Sequence, residues 1–362
     1  MSIFNTHKNK AICVLPWVHE HQDLFGKQKP CCWGRKIINN RTLETIRQEM
    51  LQGQQPKECN ICYKFESEGE LSPRITETTD WIKKFGAPDP AQPNIESIHI
   101  LNDPTCNLKC KTCGPASSTL WSKEKGLPIT IPTHNFDKYD LKKLKKINLS
   151  GGEPTYNKSY EELCDRLIKE NPDCELMITS NLKRLPEKWK EIISAFKNVS
   201  VLISCDALNE LGCYVRYPLG WSQFEENVKF VSKHANFVKF NLVPSNLVLH
   251  KIADTVEWMR QFTDVIHLNQ VVGDKWTHLP VPYSHRSVYL EALNKVTNIK
   301  ISPWQASEFR TTIKSYIEKY EQNNYDSVVH DALSKEIAEQ DSHRTTQLKD
   351  VDPFLYSWIF AK

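Results

Sequence analysis

The chain has 362 residues, 40% of them hydrophobic and 25% charged, with a formal net charge of +3 at pH 7. This is a globular composition, long enough for one large domain and a smaller one, and the charge is too small to argue for a nucleic-acid partner. No apolar run approaches membrane-spanning length and Met1 to Lys8 lacks the apolar core of a signal peptide, so a cytoplasmic protein is expected, in which twelve cysteines favour metal or redox use over disulfides.

Residues 1–90 open with Cys13-Val14-Leu15-Pro16-Trp17. Gly26, Cys31 and the adjacent Cys32 follow, then Cys59-Asn60-Ile61-Cys62 and a helix-like stretch from Tyr63 to Gly69. A unit this small, with few long apolar runs, needs a staple such as a metal. Four thiolates from Cys13, Cys31, Cys59 and Cys62 would close a four-iron cluster completely, leaving it able to carry electrons but not to bind substrate. Cys31 is preferred to Cys32 from its spacing to Gly26. A four-cysteine zinc ribbon is the plain alternative.

Pro88 to Pro93 reads as a linker. From there to about residue 275, strand and helix signals alternate. Strand-like runs lie at Ile95–Leu101, Lys146–Ser150, Glu175–Thr179, Ser200–Cys205, Val238–Val243 and Val265–Val272. Helix-like stretches lie between them, at 117–125, 160–169, 187–196, 224–234 and 253–262. Repeated βα units predict a parallel sheet with ligands at the C-terminal strand ends.

The first of these strands runs into Cys106-Asn107-Leu108-Lys109-Cys110-Lys111-Thr112-Cys113, spaced C-x3-C-x2-C. Three thiolates can hold three irons of a four-iron cluster and leave the fourth open, by the logic that separates catalytic from structural zinc sites. A zinc knuckle would want a fourth ligand, and neither His99 nor His134 stands at zinc-finger spacing. The second strand runs straight into Gly151-Gly152-Glu153-Pro154. Paired glycines let a ligand approach the backbone; a strand-to-helix turn is the bland reading.

The cysteine spacing and the Gly-Gly-Glu-Pro turn together resemble the radical S-adenosylmethionine (SAM) superfamily. The resemblance implies a partial (β/α)6 TIM-type barrel over residues 91–275. It also implies a reduced [4Fe-4S] cluster on Cys106, Cys110 and Cys113 that passes one electron to the SAM sulfonium, and a 5'-deoxyadenosyl radical that abstracts hydrogen. Gly151, Gly152 and Glu153 are implied to meet the SAM amino group, and Ser180 or Asn181 its ribose. Ser204 and Asp206 end the fourth strand where relatives carry Ser-x-Asp, while Cys205 between them should face the core. Arg216 matches an arginine that relatives use for the SAM carboxylate; a loop arginine at the surface is the alternative. Ser245 or Asn246 is a candidate for the adenine side. The isolated Cys164, Cys174 and Cys213 read as core residues.

The N-terminal cysteines resemble the SPASM and twitch auxiliary-cluster modules, although those usually follow the barrel. That implies a second [4Fe-4S] cluster. An external one-electron donor such as flavodoxin or ferredoxin is implied as a partner. The substrate is implied to be a peptide, a protein or a small molecule. Residues 276–362 show helical signals at 288–295, 308–322 and 325–339 and no motif. Two competing readings are a cysteine-rich zinc protein that binds a partner and a radical SAM enzyme acting on a nucleobase or tRNA.

Overall fold

A computed structural model describes residues 3–22, 28–302 and 306–360. Gly26, used above to choose Cys31, lies outside the described residues. The chain divides into two compact units, residues 1–105, 129–179 and 187–199 in one, and residues 106–128, 180–186 and 200–362 in the other.

The first unit carries strands β1 (His19–Gln22), β2 (Gln28–Lys29), β3 (Ser97–Ile100), β4 (Lys146–Leu149) and β5 (Glu175–Ser180), in the order β2-β1-β3-β4-β5. Only β2 runs antiparallel to its neighbour; β1, β3, β4 and β5 pair in parallel. Ile98 and Ile100, Ile147 and Leu149, and Leu176 and Ile178 are buried, and β4 and β5 alternate buried with half-buried residues. Helix Lys158–Glu170 buries Tyr160, Leu163, Cys164 and Leu167, a helical spacing, and is capped by the Asn157 side chain accepting from Ser159 N. Cys164 is therefore core, as expected.

Strand β1 reads His-Glu-His-Gln and has no apolar signature, so the sequence does not announce it. Its His19 and His21 are nonetheless buried, and His21 stands opposite His99 of β3. The segment expected as an N-terminal module thus contributes strands to this sheet. A second core lies behind it, where Phe4, Trp17, Ile46, Met50 and Trp81 pack together.

The second unit carries β6 (Val199–Ser204), β7 (Phe237–Leu242) and β8 (Ile266–Leu268), all parallel. Helices Trp221–His234 and Ile252–Met259 follow β6 and β7. Then comes a helical region with Arg286–Thr297, Ala306–Glu321, Ser327–Ser342 and Pro353–Ile359. All six expected strands are present. The last is shorter than its apolar run because Val272, at 80% exposure, lies beyond the ladder. Among the described residues seven strands sit in parallel ladders, so the α/β class and the C-terminal helical region hold. No described helix is long and apolar enough to cross a membrane.

Candidate metal centres

In the second unit, the loop Cys106–Cys113 has its backbone tied from two sides. Ser118 Oγ donates to Leu108 O at 2.6 Å and Trp121 Nε1 to Cys110 O at 2.9 Å. On the other side, Lys109 N and Lys111 N donate to the carbonyls of Tyr217 and Val215, each at 2.7 Å. A short chain rich in polar backbone can stay buried only with this kind of satisfaction. Cys106 is buried, Cys110 half-buried and Cys113 exposed.

The surroundings suit thiolates. Leu108 N lies 3.5 Å and Asn181 Nδ2 3.9 Å from Cys106 Sγ, both as donors. Burial pushes the Cys110 thiol up to about 12, and the nearby Arg216 guanidinium opposes that rise. Arg216 is buried, so it is not the surface arginine of the plain alternative. Its Nη1 donates to Asp206 Oδ2 at 2.8 Å, while Asp206 Oδ1 accepts from Val243 N at 2.9 Å. Three sulfurs on one pinned loop, with amide donors at one and a guanidinium near another, fit a group held by three thiolates.

The other expected residues divide. Asn181 reaches the loop directly, donating from Nδ2 to Asn107 Oδ1 at 2.9 Å. Ser180 Oγ accepts from Leu182 N at 3.0 Å in a local turn. Ser204 is half-buried at the end of β6. Asn246 is fully buried and its Nδ2 is committed to the carbonyls of Lys275 and Thr277, at 2.9 and 2.8 Å.

In the first unit, the Gly-Gly-Glu-Pro turn packs on the backbone of residues 103–105. Gly152 N donates to Asp103 O at 2.7 Å and Glu153 N to Thr105 O at 2.8 Å. A Cβ on Gly152 would stand 2.3 Å from Thr105 O, and Gly151 sits at φ +110° with room for no side chain beside Asp103 O. The glycines are thus demanded by the chain's own backbone one residue ahead of Cys106, whatever else approaches them. The Glu153 carboxylate is 2% exposed and accepts from Thr155 N at 3.1 Å and Thr155 Oγ1 at 2.7 Å. Beneath the turn, Asp103 accepts from Thr105 N at 2.8 Å and Asn157 Nδ2 at 2.5 Å, and its Oδ2 lies 3.0 Å from His134 Nε2. Burial alone would raise the Asp103 carboxyl, but the hydrogen bonds from His134 and Thr105 hold it below the usual range.

Also in the first unit, Cys13, Cys31, Cys59 and Cys62 line one cavity with apolar walls that include Leu15, Pro16, Trp33 and Ile61. The neighbouring Cys32 is exposed and is not among the lining residues. Cys59 directly precedes helix Asn60–Ser67, whose first turn carries Cys62. Burial drives Cys13 up to about 12 and raises Cys31 and Cys59 further, with the sulfurs adding to one another's shifts. Arg74, at the wall, donates to Ile12 O at 2.6 Å and forms two bonds to Glu66. Among the described residues no three His, Cys, Asp or Glu side chains are drawn together at single-ion distances. The four cysteines instead line one cavity, reaching it from three segments of the chain.

Sequence reasoning missed several residues here. Lys183 Nζ donates to Asn107 O at 3.0 Å. Lys111, inside the cysteine motif, is paired with Asp341 at 2.8 Å. Arg344 donates from Nη2 to Lys109 O at 3.2 Å. Nothing in the local sequence around the last two names a distant partner.

Residues 104–259 match the family model described as the Radical SAM superfamily. The GTP 3',8-cyclase of Campylobacter lari is 25% identical over 179 residues, covering 49% of this chain and 52% of that protein. The GTP 3',8-cyclase of Helicobacter pylori is 30% identical over 111 residues, covering 30% of this chain and 35% of that protein. The chain therefore spans about half, or less, of the length of these curated relatives. Among solved structures it is similar to "Native anSMEcpe with bound AdoMet", with a TM-score of 0.42 and 18% identity over 55% of this chain and 59% of that one.

Proposed function

We propose, from the match of residues 104–259 to the Radical SAM superfamily model, an enzyme that cleaves SAM reductively at a [4Fe-4S] cluster on Cys106, Cys110 and Cys113. The observation that carries this is the pinned three-cysteine loop inside the matched region, with donors at Cys106 and a guanidinium beside Cys110. Held by these three thiolates, a cluster would supply the one electron that reductive SAM cleavage requires. The chain's own part is to hold and to orient. Asn181 and Leu108 N offer donors to the Cys106 sulfur. Asp206 fixes the Arg216 guanidinium, which keeps Nε and Nη2 for the SAM carboxylate. The turn at Gly151, Gly152 and Glu153 offers backbone groups to the SAM amino end, and Ser180 and Ser204 edge the ribose side.

A second [4Fe-4S] cluster on Cys13, Cys31, Cys59 and Cys62, in a twitch-like module of residues 1–90, would carry an electron to or from a substrate radical. The cavity they share, and the exclusion of Cys32 from it, support this ligand set. The barrel is proposed over residues 91–275 and the helical extension over 276–362. An external donor such as flavodoxin or ferredoxin supplies the electron, and the substrate is a peptide, a protein or a small molecule. The two curated relatives described above favour a nucleotide among the small molecules, because both are named as a GTP 3',8-cyclase.

Anaerobic reconstitution followed by incubation with SAM and reductant tests this reading. Formation of 5'-deoxyadenosine is expected, with about eight irons per chain. Zinc at the loop, with no SAM cleavage, would overturn it. Mass spectrometry of peptides and nucleotides after turnover separates the substrate classes.

A further inference from the structure

The C-terminal helical region grips the cysteine loop at the two residues that flank Cys110. On one side, Lys111 has a side chain with no solvent exposure, and its Nζ lies 2.8 Å from Asp341 Oδ1 and 3.9 Å from the centre of the Tyr214 ring. Asp341 is fully engaged: Tyr214 Oη donates to the same oxygen at 2.9 Å and Leu348 N donates to Oδ2 at 2.8 Å. On the other side, Arg344 donates to Lys109 O at 3.2 Å, and its guanidinium lies between two rings, 5.3 Å from Trp121 and 5.1 Å from Tyr217. Trp121 is the residue that donates to Cys110 O.

Arg344 is 6% exposed, yet its Nε and Nη1 have no hydrogen-bond partner among the described residues. A buried guanidinium with two idle donors is costly unless something accepts from them. Its charge acts on the Cys110 sulfur, and the Cys110 sulfur acts on it in return. Local charge leans positive. Lys109, Lys111, Arg216 and Arg344 stand against Glu124, Asp341 and Asp206, which pair with the first three. Arg344 is left over from these pairs, as is Lys183, which donates to Asn107 O, and a loop that binds an anion is where spare cations belong.

We infer that Arg344 is a positioning residue for the anionic group bound at the Cys106–Cys113 loop, holding the loop through Lys109 and supplying Nε and Nη1 to that group, with Asp341 as the counter-charge that sets its strength. This rests on the reading of the loop as a cluster site. Net charge and hydrogen bonds near the sulfurs set the potential of an iron–sulfur cluster, so removing the Arg344 charge should move it.

The test uses the reconstituted full-length protein, reduced and followed by electron paramagnetic resonance. The signal to follow is the one that Cys110→Ala removes. Arg344→Gln should shift the midpoint potential of that signal to more negative values and lower the iron retained after desalting, and Arg344→Lys should restore most of the potential. Asp341→Asn removes a negative charge but also the partner that favours the protonated form of Lys111, so it should shift the potential less than Arg344→Gln does. No shift in Arg344→Gln, or a shift that Arg344→Lys does not restore, would overturn the inference; if Arg344→Gln does not fold, Arg344→Lys decides it, with less iron retained at a nearly unchanged potential expected and full retention contradicting it. If no signal depends on Cys110 in the unsubstituted protein, the cluster reading falls and this inference falls with it.

Discussion

Two sets of cysteines stand in this chain, and they are built on opposite plans. The N-terminal four share a cavity walled by Leu15, Pro16, Trp33 and Ile61, and the cation among its described lining residues, Arg74, is paired to Glu66. The central three lie on a loop whose backbone is tied at Leu108, Lys109, Cys110 and Lys111 and whose neighbours include Arg216, Lys111 and Arg344. The first plan offers sulfur and little else, which suits a group closed off from solvent and substrate. The second offers sulfur together with donors and positive charge, which suits a group that must also accept an anionic ligand at an open position.

The largest expected effect separates the two plans outright. Cys110→Ala should abolish 5'-deoxyadenosine formation, while Cys59→Ala with Cys62→Ala should leave SAM cleavage in place and reduce iron from about eight to about four per chain. Product chromatography and iron analysis decide it, and loss of cleavage in both variants would erase the distinction.

Next in size is a substitution that touches no cysteine. Gly152→Ala places a Cβ 2.3 Å from Thr105 O. The turn must then lift from residues 103–105, at a cost of about 2 kcal/mol or more. Urea unfolding of the metal-free protein measures that cost, and iron bound by the central loop should fall further than iron bound by the N-terminal four. Equal losses would mean that the turn does not set the entry to the central loop.

The mildest effect is a response to acid. Burial pulls His19 well below its ordinary value and His99 down to about 3, with neighbouring histidines adding to both shifts. Their stabilising contribution is complete above the unfolded value near 6.5 and is lost progressively as pH falls toward the folded value. The central loop has no histidine. Its buried Lys111 is pulled down to about 7 by burial and by Arg344, against the pull of Asp341, so acid charges it and tightens that pair. Hydrogen exchange between pH 7 and 4 should therefore show protection of His19–Gln22 fading before that of residues 106–113. The reverse order would contradict the assignment.

Much of this was legible in the chain. Six apolar runs announce strands and all six are present, since a buried parallel strand needs a continuous or alternating apolar face. The cysteine spacings and the Gly-Gly-Glu-Pro turn stand out because their chemistry is local. Strand β1 was not legible, because its four polar residues pair with β3 only when that partner is already in place. The grip of Asp341 and Arg344 was not legible either, for they lie 230 and 235 residues from the loop groups they bond.

Sequence alone determined which residues could ligate a metal and the order of alternating elements, since both follow from side-chain chemistry and short-range periodicity. Tertiary structure decided which of two adjacent cysteines faces the cavity, why two glycines are required ahead of Cys106, and which distant acid neutralises Lys111. Each of those depends on a contact between segments far apart along the chain, and the energy of such a contact exists only once both segments have been brought together.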